Sequence, residues 1–127
     1  MGSGGGDPRK GMDGAAFRRI ALSFPEALES SHMGHPDFRV RKKIFATLIP
    51  DETAGAVKCD PANLDLLVRR DPDTFRNAWG GRWLGIDLGR VTESEARQLL
   101  EDAWRLIAPK SVIRAYMDAR SSDQARR

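Results

Sequence analysis

The chain has 127 residues, 21 Lys and Arg against 18 Asp and Glu for a formal charge of +3, and an apolar fraction of 40%. Such a length favours one domain and buries roughly two-thirds of the surface its unfolded form exposes, so a core needs no metal or disulfide support. Cys59 is the sole cysteine, no apolar run approaches the ~20 residues of a membrane span, and the opening MGSGGGDPRKG lacks a signal peptide's apolar stretch, so a cytoplasmic domain without membrane contact is expected.

Residues 1–12 are Gly-rich and polar and predict a disordered leader. A single folded domain is expected over 13–108. Asp13 can cap a helix whose apolar stripe is Phe17, Ile20, Ala21 and Phe24, and Pro25 stops it by pushing the preceding residue out of the helical region. The period then changes to two. Phe38 and Val40 alternate with Arg39 and Arg41, and Ile44, Ala46 and Leu48 alternate with Phe45, Thr47 and Ile49, which predicts two antiparallel strands joined near Arg41 and Lys42. A weaker strand is expected around Leu28 to His32, before a turn at Gly34, His35 and Pro36, and another at Ala56 to Cys59 after the turn-forming PDETAG.

Asp60 followed by Pro61 signals a helix start, with Leu64, Leu67 and Val68 as its buried stripe. Trp79 and Trp83 flank Gly80 and Gly81, a second hairpin signal, and Trp83, Leu84, Ile86 and Leu88 continue as a strand. Thr92 and Glu95 have the spacing of a capping box for a helix whose apolar side is Ala96, Leu99, Leu100, Ala103, Trp104 and Ile107. After Pro109 a short further helix is expected within a basic tail, 109–127. From Arg105 to Arg127 there are six cations against two anions, so the tail holds the excess charge and the remainder is nearly neutral.

The order helix, four strands, helix, two strands, helix reads as α+β, one antiparallel sheet of five to six strands with helices packed on one face. No phosphate-cradling GxxxxGK[ST], dinucleotide GxGxxG, GxSxG or HExxH occurs. His32 and His35 lie in a turn, where hydrogen bonding is expected rather than metal ligation. Cys59 stands beside Lys58 and a helix start, both able to lower a thiol pKa, but a small half-buried strand residue is the commoner reading. Asp51 and Glu52 beside Pro50 read as turn residues, and Trp79, Trp83 and Trp104 as core. No catalytic residue, metal or cofactor is expected.

The most specific functional feature is the cluster Arg39, Arg41, Lys42 and Lys43. On a strand Arg39 and Arg41 share one face, so a hairpin presents guanidiniums in a row with Lys42 and Lys43 at its tip, suited to a phosphate backbone. Arg82 beside Gly80 and Gly81 makes the second hairpin a similar finger. Charges that protect a solvated sheet edge against aggregation account for the same pattern.

The stretch FRRIALSFPEALESSHMGHPDFRVRKKIFATL resembles the MmcQ/YjbR family of small bacterial proteins. The matching features are Ser23-Phe24-Pro25, Glu29, His32, Gly34, Pro36, Phe38 and Val40, then Lys43, Ile44, Phe45 and Ala46. Looser agreement follows at Val57-Lys58, the helix from Pro61, and Trp83 to Asp87. The resemblance covers about residues 15 to 107. It implies a frataxin/CyaY-like fold and a DNA-binding role through a double-wing arrangement, with no catalytic residues to carry over. The chain departs from the family pattern where Arg41 and Lys42 replace small Gly-type residues, which makes the first hairpin turn more basic and works against a tight geometry. The expected function is therefore DNA binding by a monomer through Arg39, Arg41, Lys42, Lys43 and Arg82. The alternative is a non-catalytic module that binds a protein or small ligand on its sheet face.

Overall fold

The computed structural model describes residues 11–125, and side chains through Asp123. Residues 1–10 of the expected leader, and Arg126 and Arg127 of the tail, lie outside the described residues. Gly11 and Met12 do not belong to a loose leader: their N–H groups donate to the carbonyls of Val91 (2.7 Å) and Leu88 (2.8 Å).

Helix α1 spans Gly14–Leu22, and the Asp13 carboxylate accepts from the Ala16 N–H at its start. Strands β1 (Leu28–His32), β2 (His35–Val40), β3 (Lys43–Leu48) and β4 (Ala54–Lys58) follow, then α2 (Pro61–Arg70), β5 (Phe75–Trp79), β6 (Trp83–Asp87) and α3 (Glu93–Ile107). The helix expected after Pro109, α4 (Lys110–Ala125), is 16 residues long rather than short. The expected α+β order holds, with six strands arranged β1-β2-β3-β4-β6-β5 and every neighbouring pair antiparallel.

Phe17, Phe38, Ala46, Val57, Leu84 and Trp104 belong to one buried core formed between one sheet face and helices α1, α2 and α3. A Cβ on Gly55 would meet the Phe17 ring, which marks the helix-covered face. Gly85 pairs with Ala56, the residue after Gly55, and so points to the opposite, open face. At the register shift between Phe38 and Arg39, β3 carries an extra residue. Phe45 and Ala46 are therefore both buried, whereas strict alternation places Phe45 on the far side from Ala46.

Helix α4 packs against the flank of α3 that holds Glu101 and Trp104. Tyr116 packs edge-on against Phe24 and Trp104, and its hydroxyl donates to the buried Glu101 carboxylate at 2.8 Å. Arg120 and Gln98 also donate to that carboxylate. At the start of α3 only half of a capping box forms. Thr92 Oγ1 accepts from the Glu95 N–H, but the Glu95 side chain turns to Arg70 across at α2. Among the described residues no helix is long and apolar enough to cross a membrane.

Candidate functional site

Three features meet at one end of the strands. Val40 pairs with Lys43 across the β2–β3 turn, Lys58 at the end of β4 pairs with Trp83, and Trp83 pairs with Trp79 across the β5–β6 turn. In the strand order the two turns lie three strand spacings apart, roughly 14 Å at about 4.8 Å per strand. Arg41, Lys42, Lys43, Lys58 and Arg82 therefore gather along one end. The β5–β6 turn is held there because the Cys59 N–H donates to the Arg82 carbonyl at 2.9 Å and the Gly81 N–H to Asn77 Oδ1 at 3.0 Å.

The β2–β3 turn is tight despite its bulky residues. Arg41 and Lys42 occupy both central positions with φ of 49° and 74°, the left-handed pair of a two-residue hairpin whose twist matches the strands. Lys42, Lys43 and Arg82 are all exposed. Among the described residues none of these three has an ion-pair partner.

The two arginines of the cluster behave differently. Arg39 stands on the open face and grips Asp37 with two hydrogen bonds, Nε to Oδ1 at 2.7 Å and Nη2 to Oδ2 at 2.9 Å. His32 Nδ1–H donates to the same carboxylate at 2.7 Å. The Arg39 guanidinium holds the Asp37 carboxyl below its usual range, with His32 assisting against the opposing effect of burial. Arg41 reaches back to Glu26, whose carboxyl it lowers in the same way. The expected row of free guanidiniums is thus a pair of internally neutralised arginines, and the uncompensated cations are the lysines and Arg82.

The opposite end of the sheet is acidic. Asp13, Asp51, Glu52 and Asp87 line one depression there. Asp51 accepts from the N–H and hydroxyl of Thr53, the turn role expected of it, while Glu52 and Glu29 share Arg18. The near-neutral folded body is therefore polar along the strand direction.

Sequence reasoning passed over Lys58, Arg76 and the exposure of Trp79. Trp79 and Trp83 are not core residues. They lie on the open face, and Trp79 is 52% exposed. Alternation alone identifies Lys58 as outward-facing once β4 is known to end there, but the β5 irregularity between Asn77 and Trp79 that turns Trp79 outward has no local signal. Among the described residues no group of His, Cys, Asp and Glu has the arrangement of a metal site. His32 and His35 stack at 5.8 Å, with His32 committed to Asp37.

A model of the YjbR family matches residues 22–106. Among solved structures, a crystal structure of a Deinococcus radiodurans protein with a DUF419 domain is similar, at 19% identity and a TM-score of 0.69 over 83% of each chain. That identity makes it a likeness of fold. Comparison with curated proteins finds no match.

Proposed function

The chain belongs to the YjbR family, and on that premise we propose that it is a non-catalytic DNA-binding domain that grips phosphates with the basic end of its sheet. The observation that carries this reading is the convergence of both hairpin turns and the end of β4 at one end, with Lys42, Lys43 and Arg82 exposed. Three cations that have no carboxylate partner among the described residues, spread over roughly 14 Å, suit successive phosphates of a backbone rather than a single anion. Lys58 adds a fourth positive charge beside them. Arg41 contributes by tying the tip of the β2–β3 hairpin to Glu26, while the Arg39 guanidinium is already occupied by Asp37 within β2. The acidic opposite end repels a polyanion and so orients the approach of the basic end.

Phosphate contacts release counterions, so affinity falls steeply as salt rises. Fluorescence anisotropy with labelled duplex DNA in low salt tests the reading. Binding with a log–log salt slope that Lys42→Ala reduces by roughly one supports it. Unchanged anisotropy at micromolar protein in low salt overturns it.

A further inference from the structure

On the open face the register sets Lys58, Trp83 and Trp79 side by side across β4, β6 and β5. The two indoles stack with centroids 4.9 Å apart and planes inclined by 22°. Lys58 Nζ lies 5.9 Å from the Trp83 ring, so Trp83 has a cation beside it on β4 and an indole beside it on β5. Strand β5 is the sheet's edge, and the row ends there in the half-exposed Trp79. Arg76, on the same edge strand, lies across Gly85 on this face and is itself exposed. Among the described residues it has no ion-pair partner.

An indole backed by a second indole is already held in one orientation, so a planar group that stacks on it does so with little further ordering. The surroundings decide which planar group fits. Lys58 beside Trp83, Arg76 across Gly85 and Arg82 in the adjoining turn bring positive charge to the row, and among the described residues none of the three has an ion-pair partner. An apolar peptide side chain gains nothing from such a rim, whereas a nucleobase carries its phosphates to it. Bases inside a duplex are stacked on one another and do not reach an edge-strand tryptophan. We propose that Trp79 is a stacking platform for an unpaired nucleobase, so that the chain binds single-stranded DNA, or a duplex with an unpaired end, more tightly than blunt duplex. This inference rests on the DNA-binding reading and specifies its substrate.

The test uses the full chain and three labelled probes of equal length: oligo(dT), a blunt duplex, and an abasic strand with the same phosphates. Oligo(dT) is expected to bind at least about fivefold more tightly than the abasic strand, since one stacked base contributes a factor of roughly 5 to 150. Trp79→Ala is expected to remove that advantage while leaving blunt-duplex and abasic affinity within about twofold. Trp79→Phe retains part of the advantage, and its unchanged fold is checked by the thermal midpoint. Equal affinity for oligo(dT) and the abasic strand overturns the platform but leaves phosphate binding intact. A Trp79→Ala loss of equal size on all three probes also overturns it, because that pattern marks a structural role. If no probe binds, the DNA-binding reading fails and the platform falls with it.

Discussion

Glu26 and Arg41, 15 residues apart, both hold left-handed backbones (φ 64° and 49°) and meet in a two-pronged ion pair, Nε to Oε1 at 2.8 Å and Nη2 to Oε2 at 3.1 Å. The pair ties the tip of the β2–β3 hairpin to the segment that leaves α1. A left-handed turn usually takes Asn-Gly, and here Lys42 next to Arg41 adopts φ 74° with a full side chain. Lysine at that position adds charge to the hairpin tip and strains the backbone. Lys42→Gly is expected to stabilise the fold by about 0.5–1 kcal/mol, as relief of the left-handed penalty exceeds glycine's entropic cost. Under the proposed function the same variant weakens DNA binding, so stability and affinity move in opposite directions. Urea midpoints and anisotropy on one preparation check both, and a lowered midpoint contradicts the strain.

Asp37 is fully buried in the sheet and bonded to Arg39 and His32, and its carboxyl is held below the ordinary value chiefly by Arg39. A carboxyl depressed in the folded state stabilises the fold above its unfolded pKa of about 4 and loses that contribution as pH falls toward the folded pKa. Asp37→Asn is expected to lower the thermal midpoint at pH 7, with the difference from the parent shrinking below about pH 4. Glu26, Asp51 and Asp71 are depressed as well, but both proteins contain them and their effect cancels in the difference. A difference that stays constant from pH 7 to pH 3 counts against the assignment.

The strand periods, the proline-marked helix boundaries and the Gly80-Gly81 hairpin were legible because each depends on residues adjacent in sequence. Helix α3 showed equally well, since Ala96, Leu99, Leu100, Ala103 and Trp104 all reach the core. Phe45 was not legible, because one extra residue in β3 resets the alternation and only the pairing with β2 reveals it. The site was half legible. Charge marked Arg39, Arg41, Lys42, Lys43 and Arg82, but whether a cation is free depends on partners such as Glu26, whose approach is set by the path of the chain after α1. Asp37 did share the alternation phase of Arg39, so that pairing could have been drawn from the strand itself. Trp79 and Trp83 read as core because tryptophan usually is, and only the sheet order shows that they stand on the face without helices.

The two glycines that face opposite sides of the sheet differ in what surrounds them. A Cβ at Gly55 would lie 3.0 Å from the Thr47 carbonyl oxygen and 3.1 Å from the Phe17 ring, both fixed in the core. At Gly85 the nearest atoms belong to the Arg76 side chain, which is exposed and can swing away. Gly55→Ala is expected to destabilise by about 1–3 kcal/mol, the usual cost of overpacking, and Gly85→Ala by clearly less. Chemical denaturation of the two variants in parallel tests this ranking, and equal losses refute it.

Helix α4 is held to α3 by a polar contact as well as by packing. Glu101 is buried, and Tyr116, Arg120 and Gln98 all donate to it. Tyr116→Phe keeps the ring against Phe24 and Trp104 but removes one donor from the carboxylate. A loss of about 1–3 kcal/mol is expected, with faster amide exchange concentrated in α4. Exchange that quickens evenly over the whole domain would show that α4 does not come away as a unit.

Cys59 follows Lys58 and precedes the Asp60 cap of α2, a position that on sequence alone allows an activated thiol. The two neighbours lie on opposite sides of the chain. Lys58 extends over Trp83 on the open face, while Cys59 turns into the core. Burial, reinforced by the Asp60 carboxylate, pushes the Cys59 thiol up to about 11 against the weak opposing contact from Asn63. At pH 8 about one molecule in a thousand then carries the thiolate, roughly a hundredfold fewer than for an ordinary thiol near 9. Reaction with a chromogenic disulfide is therefore expected to be at least a hundredfold slower in the folded protein than in urea, since restricted access adds to the low thiolate fraction. A native rate matching the unfolded one would mean that Cys59 is open to solvent and that the end of β4 is not packed as described.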